Sequence, residues 1–202
     1  MAKSILYCFL LVLTFGGCKK YDTEVNKNPI PDVKATFSAN IDGARVRWTA
    51  DSAGFTGISF VDRQTSSDSS FNSYVYQFQK PGYSIEFVRQ RIGYVGNSPS
   101  QFDFKNYFLV GNYSYAFTAS NPRSGFSIFY TEGGAKYSTE GFNANQTPGG
   151  FRIVSMIDGQ NSKGEYQVNV VCTFTCLLYN VVSPSSIKQL TQGEFRGSFV
   201  YQ

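Results

Sequence analysis

Apolar and polar residues alternate along the stretch from Tyr166 to Tyr179. Polar residues such as Gln167 and Thr173 separate apolar ones at every second position. The apolar positions are Tyr166, Val168, Val170, Cys172, Phe174, Cys176 and Leu178. Because a strand points successive side chains to opposite faces, this pattern predicts a long strand with one face in a core. The stretch from Phe195 to Tyr201 alternates in the same way, so we expect it to be a neighbouring core strand.

Shorter strand-like segments, separated by Gly, Pro and Asn, fill the chain before this stretch. Asp42-Gly43 is a hairpin signal after Ala35 to Ile41, and Lys80-Pro81-Gly82 joins Ser73–Gln79 to Tyr83–Gln90. The other predicted strands are Ile58–Val61, Tyr107–Val110, Tyr113–Ala119, Phe126–Tyr130, Phe151–Asp158 and Ile187–Thr191. About ten short strands, with no ten-residue helical pattern, predict an all-β fold: a single antiparallel β-sandwich, with a closed β-barrel as the alternative.

Composition narrows the range of functions. The 202 residues suit one domain, and the lysines and arginines that give the net charge of +4 are scattered along the chain without a long run, unlike the basic stripe of a nucleic-acid-binding protein. The chain contains no histidine. Catalytic triads and dyads that use histidine, and histidine-based zinc sites, are therefore excluded, which leaves an enzyme only carboxylate, lysine or tyrosine chemistry.

The N-terminus has the features of an export signal. Lys3 precedes an apolar run from Ile5 to Phe15, which is too short to span a membrane and ends in Gly16-Gly17-Cys18. Thr14 to Cys18 resembles a bacterial lipoprotein box, which implies that Cys18 is acylated and becomes the first mature residue. We therefore expect a signal peptide over residues 1–17, a lipidated flexible tether over 18–34 and the β-sandwich domain over 35–202. An ordinary secretory signal with a chance cysteine is the alternative.

Short motifs at both ends of the predicted domain carry a second resemblance. FSANIDG from Phe37 to Gly43, followed by Trp48-Thr49-Ala50, opens the domain, and Thr173–Cys176, Tyr179-Asn180 and Gly193-Glu194-Phe195 lie near its end. These segments are similar to the two ends of a Bacteroidota lipoprotein domain of unknown function. The resemblance implies an exported cell-envelope module, and it brings no known activity or site residues. We expect the lipid to anchor the module in the outer membrane or at the cell surface, with a periplasmic and an outward-facing position both open.

Two features that might suggest metal or redox chemistry have simpler interpretations. Cys172 and Cys176 lie four residues apart on one strand face, about 13 Å from each other, which is beyond the disulfide limit of about 7 Å. We expect both to be buried free thiols. Asp158 to Glu165 offers oxygen ligands but lacks the ligand order of an EF-hand and contains Lys163, so we interpret it as a hairpin loop. We expect neither a metal site nor a cofactor.

Aromatic residues are concentrated between Tyr94 and Phe142. Tyr107-Phe108 and Phe129-Tyr130 are adjacent pairs, and adjacent residues on a strand face opposite ways, so we expect one member of each near a surface. These four residues are candidate ligand contacts, because an exposed aromatic patch suits sugar rings or a partner protein. Packing of most of these rings in the core is the alternative.

Ser52 is a candidate modification site. Asp51-Ser52-Ala53 resembles the acceptor triplet for O-glycosylation in exported Bacteroidota proteins, and an ordinary polar turn is the alternative. The triplet concerns modification only and does not indicate an activity.

Three functions remain open from the sequence. The one we favour is a non-catalytic envelope lipoprotein that binds a glycan or an envelope protein, with the membrane contacted through its lipid. A structural or assembly lipoprotein without a ligand is the second, and a carboxylate-dependent glycan hydrolase is the third. An exposed row of aromatic residues favours the first, flat polar faces favour the second, and a cleft with two facing carboxylates favours the third.

Overall fold

The computed structural model describes residues 25–65, 70–94, 98–116, 125–140, 146 and 149–202, which form eleven strands and one short helix. The elements are β1 (Thr36–Ile41), β2 (Ala44–Thr49), β3 (Thr56–Thr65), β4 (Ser70–Lys80), β5 (Tyr83–Tyr94), α1 (Gln101–Asn106), β6 (Gly111–Tyr113), β7 (Gly125–Glu132), β8 (Ala135–Ser138), β9 (Gly150–Gln160), β10 (Tyr166–Asn180) and β11 (Ile187–Val200). All pairings between these strands are antiparallel, which confirms the all-β class. The predicted signal peptide and Cys18 lie outside the described residues.

Strand β10 divides the sheet into two layers. The strands follow the order β2-β1-β11-β10-β8-β7-β5-β4-β3, and β9 and β6 lie off this path. Tyr166 to Thr175 of β10 pair with β9, whereas Tyr179 and Asn180 pair with β8 on the same edge. One layer is therefore β2-β1-β11-β10-β9-β6 and the other is β8-β7-β5-β4-β3.

Stacked aromatic rings join the two layers. The ring centroids of Phe87 on β5 and Phe195 on β11 lie 4.3 Å apart, and those of Phe126 on β7 and Phe151 on β9 lie 4.0 Å apart. At the far end of the sheet, the Val200 N–H donates to Ser59 Oγ on β3 at 3.4 Å. The sheet thus curls until its halves face each other around one aromatic core, in agreement with the predicted sandwich.

The two long strands predicted from alternation are neighbours, as expected. β10 pairs with β11 from Gln167–Val200 to Tyr179–Ile187. Cys172, Phe174 and Cys176 are buried on β10, while Thr173 between them is exposed. The predicted turns are also present: Asp42 and Gly43 have φ of 49° and 84°, which is the geometry of a two-residue hairpin loop, and Gly82 has φ of 80° after Pro81.

The predicted strand from Tyr107 to Val110 is wrong. Helix α1 begins at Gln101, and a turn over 107–110 follows it. Ser100 caps the helix: its Oγ accepts the Asp103 N–H at 3.1 Å, while the Asp103 carboxylate accepts the Ser100 N–H at 3.2 Å. Six residues are too few to show a helical period, so this capping box was the only signal in the sequence.

Three further differences concern strand limits. Ile187–Thr191 and Phe195–Tyr201 were predicted as separate strands but form one, because a bulge at Gln192 continues β11 without a turn. Strand β8 was not predicted. Of the strand predicted over Tyr113 to Ala119, the described part contains only the end of β6 and a single bridge at Tyr115, since residues 117–124 lie outside the described chain.

Part of the segment predicted to be a flexible tether lies against the domain. The Ile30 N–H donates to the Gln160 carbonyl at 2.8 Å, and the Gln160 N–H donates to the Asn28 carbonyl at 3.0 Å. Asn26 also bonds Asp158 through its side-chain amide, at 2.7 Å. The open edge of β9 gains backbone partners in this way, so residues 26–30 extend the sheet instead of remaining free.

Cys172 and Cys176 are both buried and free, as predicted. Burial raises the pKa of Cys172 and raises that of Cys176 to about 12. A buried thiol with a raised pKa is a poor nucleophile, because the thiolate is the reactive form. The two cysteines therefore behave as small core residues.

We predict that neither thiol reacts with a thiol reagent in the folded Cys18→Ser mature protein at pH 8, and that both react after unfolding. The unfolded chain releases these protons near a pKa of about 8.5, and the folded chain retains them, so the free energy of unfolding falls as the pH rises above about 9. Thiol titration with and without denaturant measures the first effect, and denaturation at a series of pH values measures the second. Rapid labelling of the folded protein would contradict the buried position.

Candidate functional site

An open groove of about 500 Å³ lies on the solvent face of the layer that contains β10. Five strands contribute to it, and polar side chains predominate. Its described lining residues are Arg45, Asn112, Tyr113, Gly150, Phe151, Arg152, Thr173, Phe174, Thr175, Gln192, Gly193 and Glu194. This groove is a candidate surface for binding a ligand.

Strand register places four polar residues of the groove in one row across the sheet. Asn112 on β6 faces Arg152 on β9, Arg152 faces Thr173 on β10, and Thr173 faces Glu194 on β11. All four are exposed, because they alternate with core residues. Directly opposite residues on neighbouring strands lie about 5 Å apart, so the four side chains form a continuous polar surface.

A bulge in β11 shapes one side of the groove. Thr191 and Gln192 together face Thr175, and Gln192 has φ of 50°. Gly193 follows, and a side chain there would lie 2.3 Å from the ring of Phe174, so only glycine allows that ring to occupy its position. Two almost fully buried core residues, Phe151 and Phe174, are also among the residues that line the groove.

Two arginines lie on opposite sides of the groove. Arg45 on β2 reaches over β1: one guanidinium nitrogen donates to Ser38 Oγ at 3.2 Å and another to the Gln192 carbonyl at 3.4 Å. Arg152 is on β9, two strands from Gln192 and so about 10 Å away. The ion pairs between described residues involve Lys105 and Lys188, and neither Arg152 nor Glu194 takes part in one.

A third arginine is buried behind the groove wall. The Arg89 Nε donates to the Tyr107 carbonyl at 2.9 Å, and another guanidinium nitrogen donates to the Gly125 carbonyl at 2.8 Å. The guanidinium carbon lies 4.9 Å from the ring centroid of Tyr113, which lines the groove, and it also packs on Tyr107 and Phe126. Burial lowers the pKa of Arg89, and no carboxylate of the described residues pairs with it.

The four aromatic residues predicted as ligand contacts do not meet at one surface. Phe108 is fully buried against Phe199, and Tyr130 is buried against Trp48. Tyr107 and Phe129 are half-buried. One member of each pair is thus partly accessible, as predicted, but the described aromatic residues between positions 94 and 142 do not form an exposed row.

Ser52 lies in a turn, and Asn161 to Glu165 form the loop after β9, whereas Asp158 to Gln160 are the end of that strand. Ser52 is exposed, and its carbonyl accepts the Phe55 N–H at 3.0 Å. In the second segment the Asn161 side-chain oxygen accepts the N–H groups of Lys163 and Glu165, both at 2.9 Å, which is the geometry of a hairpin loop. The described part of the chain contains no group of three acidic or cysteine side chains placed to hold a metal ion.

Sequence reasoning did not identify the groove residues as a site. The alternation around Thr173 showed that Thr173 and Thr175 face away from the core. Arg45, Arg152 and Glu194 lie on other strands, and only the pairing register brings them to the same place. A sequence signal for the bulge existed in Gln192-Gly193, which lies between the strands predicted at Ile187–Thr191 and Phe195–Tyr201.

Comparisons of this chain with protein-family models, with curated proteins and with solved structures found no significant match. Over the residues that the structure describes, no helix has the length and apolar character needed to cross a membrane. The interpretation of the groove therefore depends on its own residues and geometry.

We predict that Arg89→Met lowers the free energy of unfolding by about 1–3 kcal/mol, because the Tyr107 and Gly125 carbonyls lose a buried donor. Denaturant unfolding measures the difference. Arg196→Met is the matched control: Arg196 is exposed on β11, and we expect a change within about 0.5 kcal/mol. Equal stability of the two variants would show that Arg89 does not stabilise the wall of the groove.

Proposed function

We propose that this protein is a non-catalytic binding module of the bacterial cell envelope and that its groove takes a glycan. The observation that supports this proposal is the open groove of about 500 Å³ with a row of exposed hydrogen-bonding side chains. Asn112, Thr173, Thr175 and Gln192 offer donors and acceptors for sugar hydroxyls.

The number of carboxylates in the described lining of the groove favours binding over hydrolysis. Glycoside hydrolysis commonly needs two carboxyl groups about 5–10 Å apart. Glu194 is the one carboxylate among the described lining residues. Among the described residues that line the groove, no second carboxylate accompanies Glu194 as such a reaction would need.

We further propose that Cys18 anchors the domain to the outer membrane or cell surface through its lipid. Residues 26–30 pack along the end of β9, so the described chain joins the domain there. Arg152 lies eight residues along β9 from Gln160, where that segment docks, which is about 26 Å. The groove thus lies at a distance from the place where this segment meets the domain, an arrangement that suits capture of a ligand away from the membrane.

We predict that Cys18→Ser moves the protein from the membrane fraction to the soluble fraction and abolishes labelling with an acyl-chain precursor. Fractionation of cells that express the two forms measures the change. Replacing Cys172 by Ser is the control, because that thiol is buried in the domain and its loss leaves the anchor intact. Acyl labelling of the Cys18→Ser protein would contradict this anchor.

We predict that the protein binds glycans on an array and that Thr173→Trp weakens this binding at least about tenfold, because the indole fills the groove. The control is Ser155→Trp, since Ser155 is exposed on β9 outside the groove lining. A reducing-sugar assay run in parallel should detect no product. Turnover that is lost in Glu194→Gln would favour the hydrolase instead, and absence of binding to every glycan would favour the structural lipoprotein.

A further inference from the structure

The charges of the groove indicate which glycans it would select. The described lining contains two arginines and one glutamate, a net charge of +1. Arg47 adds a further positive charge next to the groove, on the side of β2. It is exposed and faces Ser38, which in turn faces Glu194. A ligand that crosses the row from β9 to β2 therefore meets arginine at both ends and a carboxylate only in the middle.

The two lining arginines differ in how they are held. Arg45 is oriented by its bonds to Ser38 Oγ and the Gln192 carbonyl, which use two of its guanidinium nitrogens. Arg152 is exposed and takes part in no ion pair with a described residue, so its planar fork is open to a ligand. A guanidinium fork matches the two oxygens of a carboxylate, which makes Arg152 the stronger candidate for direct contact.

The buried Arg89 adds a positive charge that the protein itself does not neutralise with a described carboxylate. It is held by carbonyl oxygens and by three rings, one of which, Tyr113, lines the groove. Charges in a low-dielectric interior are screened less by solvent than surface charges are. The buried charge of Arg89 therefore makes the electrostatic potential more positive at the Tyr113 side of the groove. Arg152 and its neighbour Asn112 lie on this same side.

Glu194 separates the positive ends. It faces Thr173 on one side and Ser38 on the other, so a ligand carboxylate directly above it would be repelled, whereas a sugar hydroxyl could donate to it. Arg152 lies about 10 Å from Gln192, whose carbonyl oxygen accepts a hydrogen bond from Arg45, so two sugar rings can lie between the two lining arginines. This arrangement suits a chain in which acidic groups and free hydroxyls alternate.

We infer that the groove selects glycans that carry carboxylate groups, such as chains containing uronic acids, and that Arg152 is the main residue that distinguishes them from neutral chains. This inference rests on the proposed function, since it names the ligand class of the same groove. Arg152 binds the carboxylate through its guanidinium fork, Arg45 holds the other end of the chain, and Glu194 accepts a hydroxyl between them.

The test compares two ligands that differ only in charge. The purified full-length protein is titrated with oligogalacturonate and with the same oligosaccharide as its methyl ester, at low and at physiological salt. Arg152→Gln and Arg45→Gln are compared with Arg196→Gln, which removes the same charge from an exposed position on β11 outside the groove. Denaturation of each variant verifies that it is folded.

We expect the acid to bind at least about tenfold more tightly than the ester at low salt, because a charge-assisted pair is lost with the ester. Arg152→Gln should abolish this preference, Arg45→Gln should reduce it, and Arg196→Gln should change it less than about twofold. If the acid and the ester bind equally tightly, and Thr173→Trp weakens the binding of both, the inference is overturned but the proposed function stands. Failure of both ligands and of every glycan on the array would overturn both.

Discussion

Strand β10 has one face in the core and the other toward the groove, and the rest of the structure depends on the pairing that keeps each face in its place. Cys172, Phe174 and Cys176 face the core between the layers, while Thr173 and Thr175 face the groove. Because the side-chain period of a strand is two, a shift of one residue in its pairing would place the threonines in the core and the phenylalanine in water. The register of β10 against β9 and β11 therefore positions the core and the candidate site together.

The groove is a consequence of irregularity in an otherwise regular sheet. A flat polar face would result if β11 continued past Thr191 without its bulge. The left-handed conformation of Gln192 belongs to this bulge, the missing side chain of Gly193 leaves room for the Phe174 ring, and both residues line the groove. Bulges of this kind commonly redirect side chains at binding surfaces, and here the result is a concave site on the sheet itself.

The distribution of charge connects the packing of the core with the proposed ligand. Arg89 is stabilised by two carbonyls and by the faces of aromatic rings, and its positive charge persists behind Tyr113. A carboxylate from the protein in that place would cancel the potential of the groove. The core contacts that hold Arg89 in the wall of the groove thus also keep a positive charge there, which favours the proposed acidic chain.

Alternation along the chain by itself determined the all-β class, the pairing of the two longest strands and the burial of Cys172 and Cys176, because these depend on a local period of two. It did not reveal helix α1, which is too short to show a period and is marked only by the Ser100–Asp103 capping box. Nor did it reveal the continuity of β11 through Gln192, because a bulge and a turn use the same residue types.

The site was decided only by the tertiary structure. Arg45, Asn112, Arg152, Thr173 and Glu194 are far apart in the chain, and hydrogen-bonded register across five strands brings them onto one face.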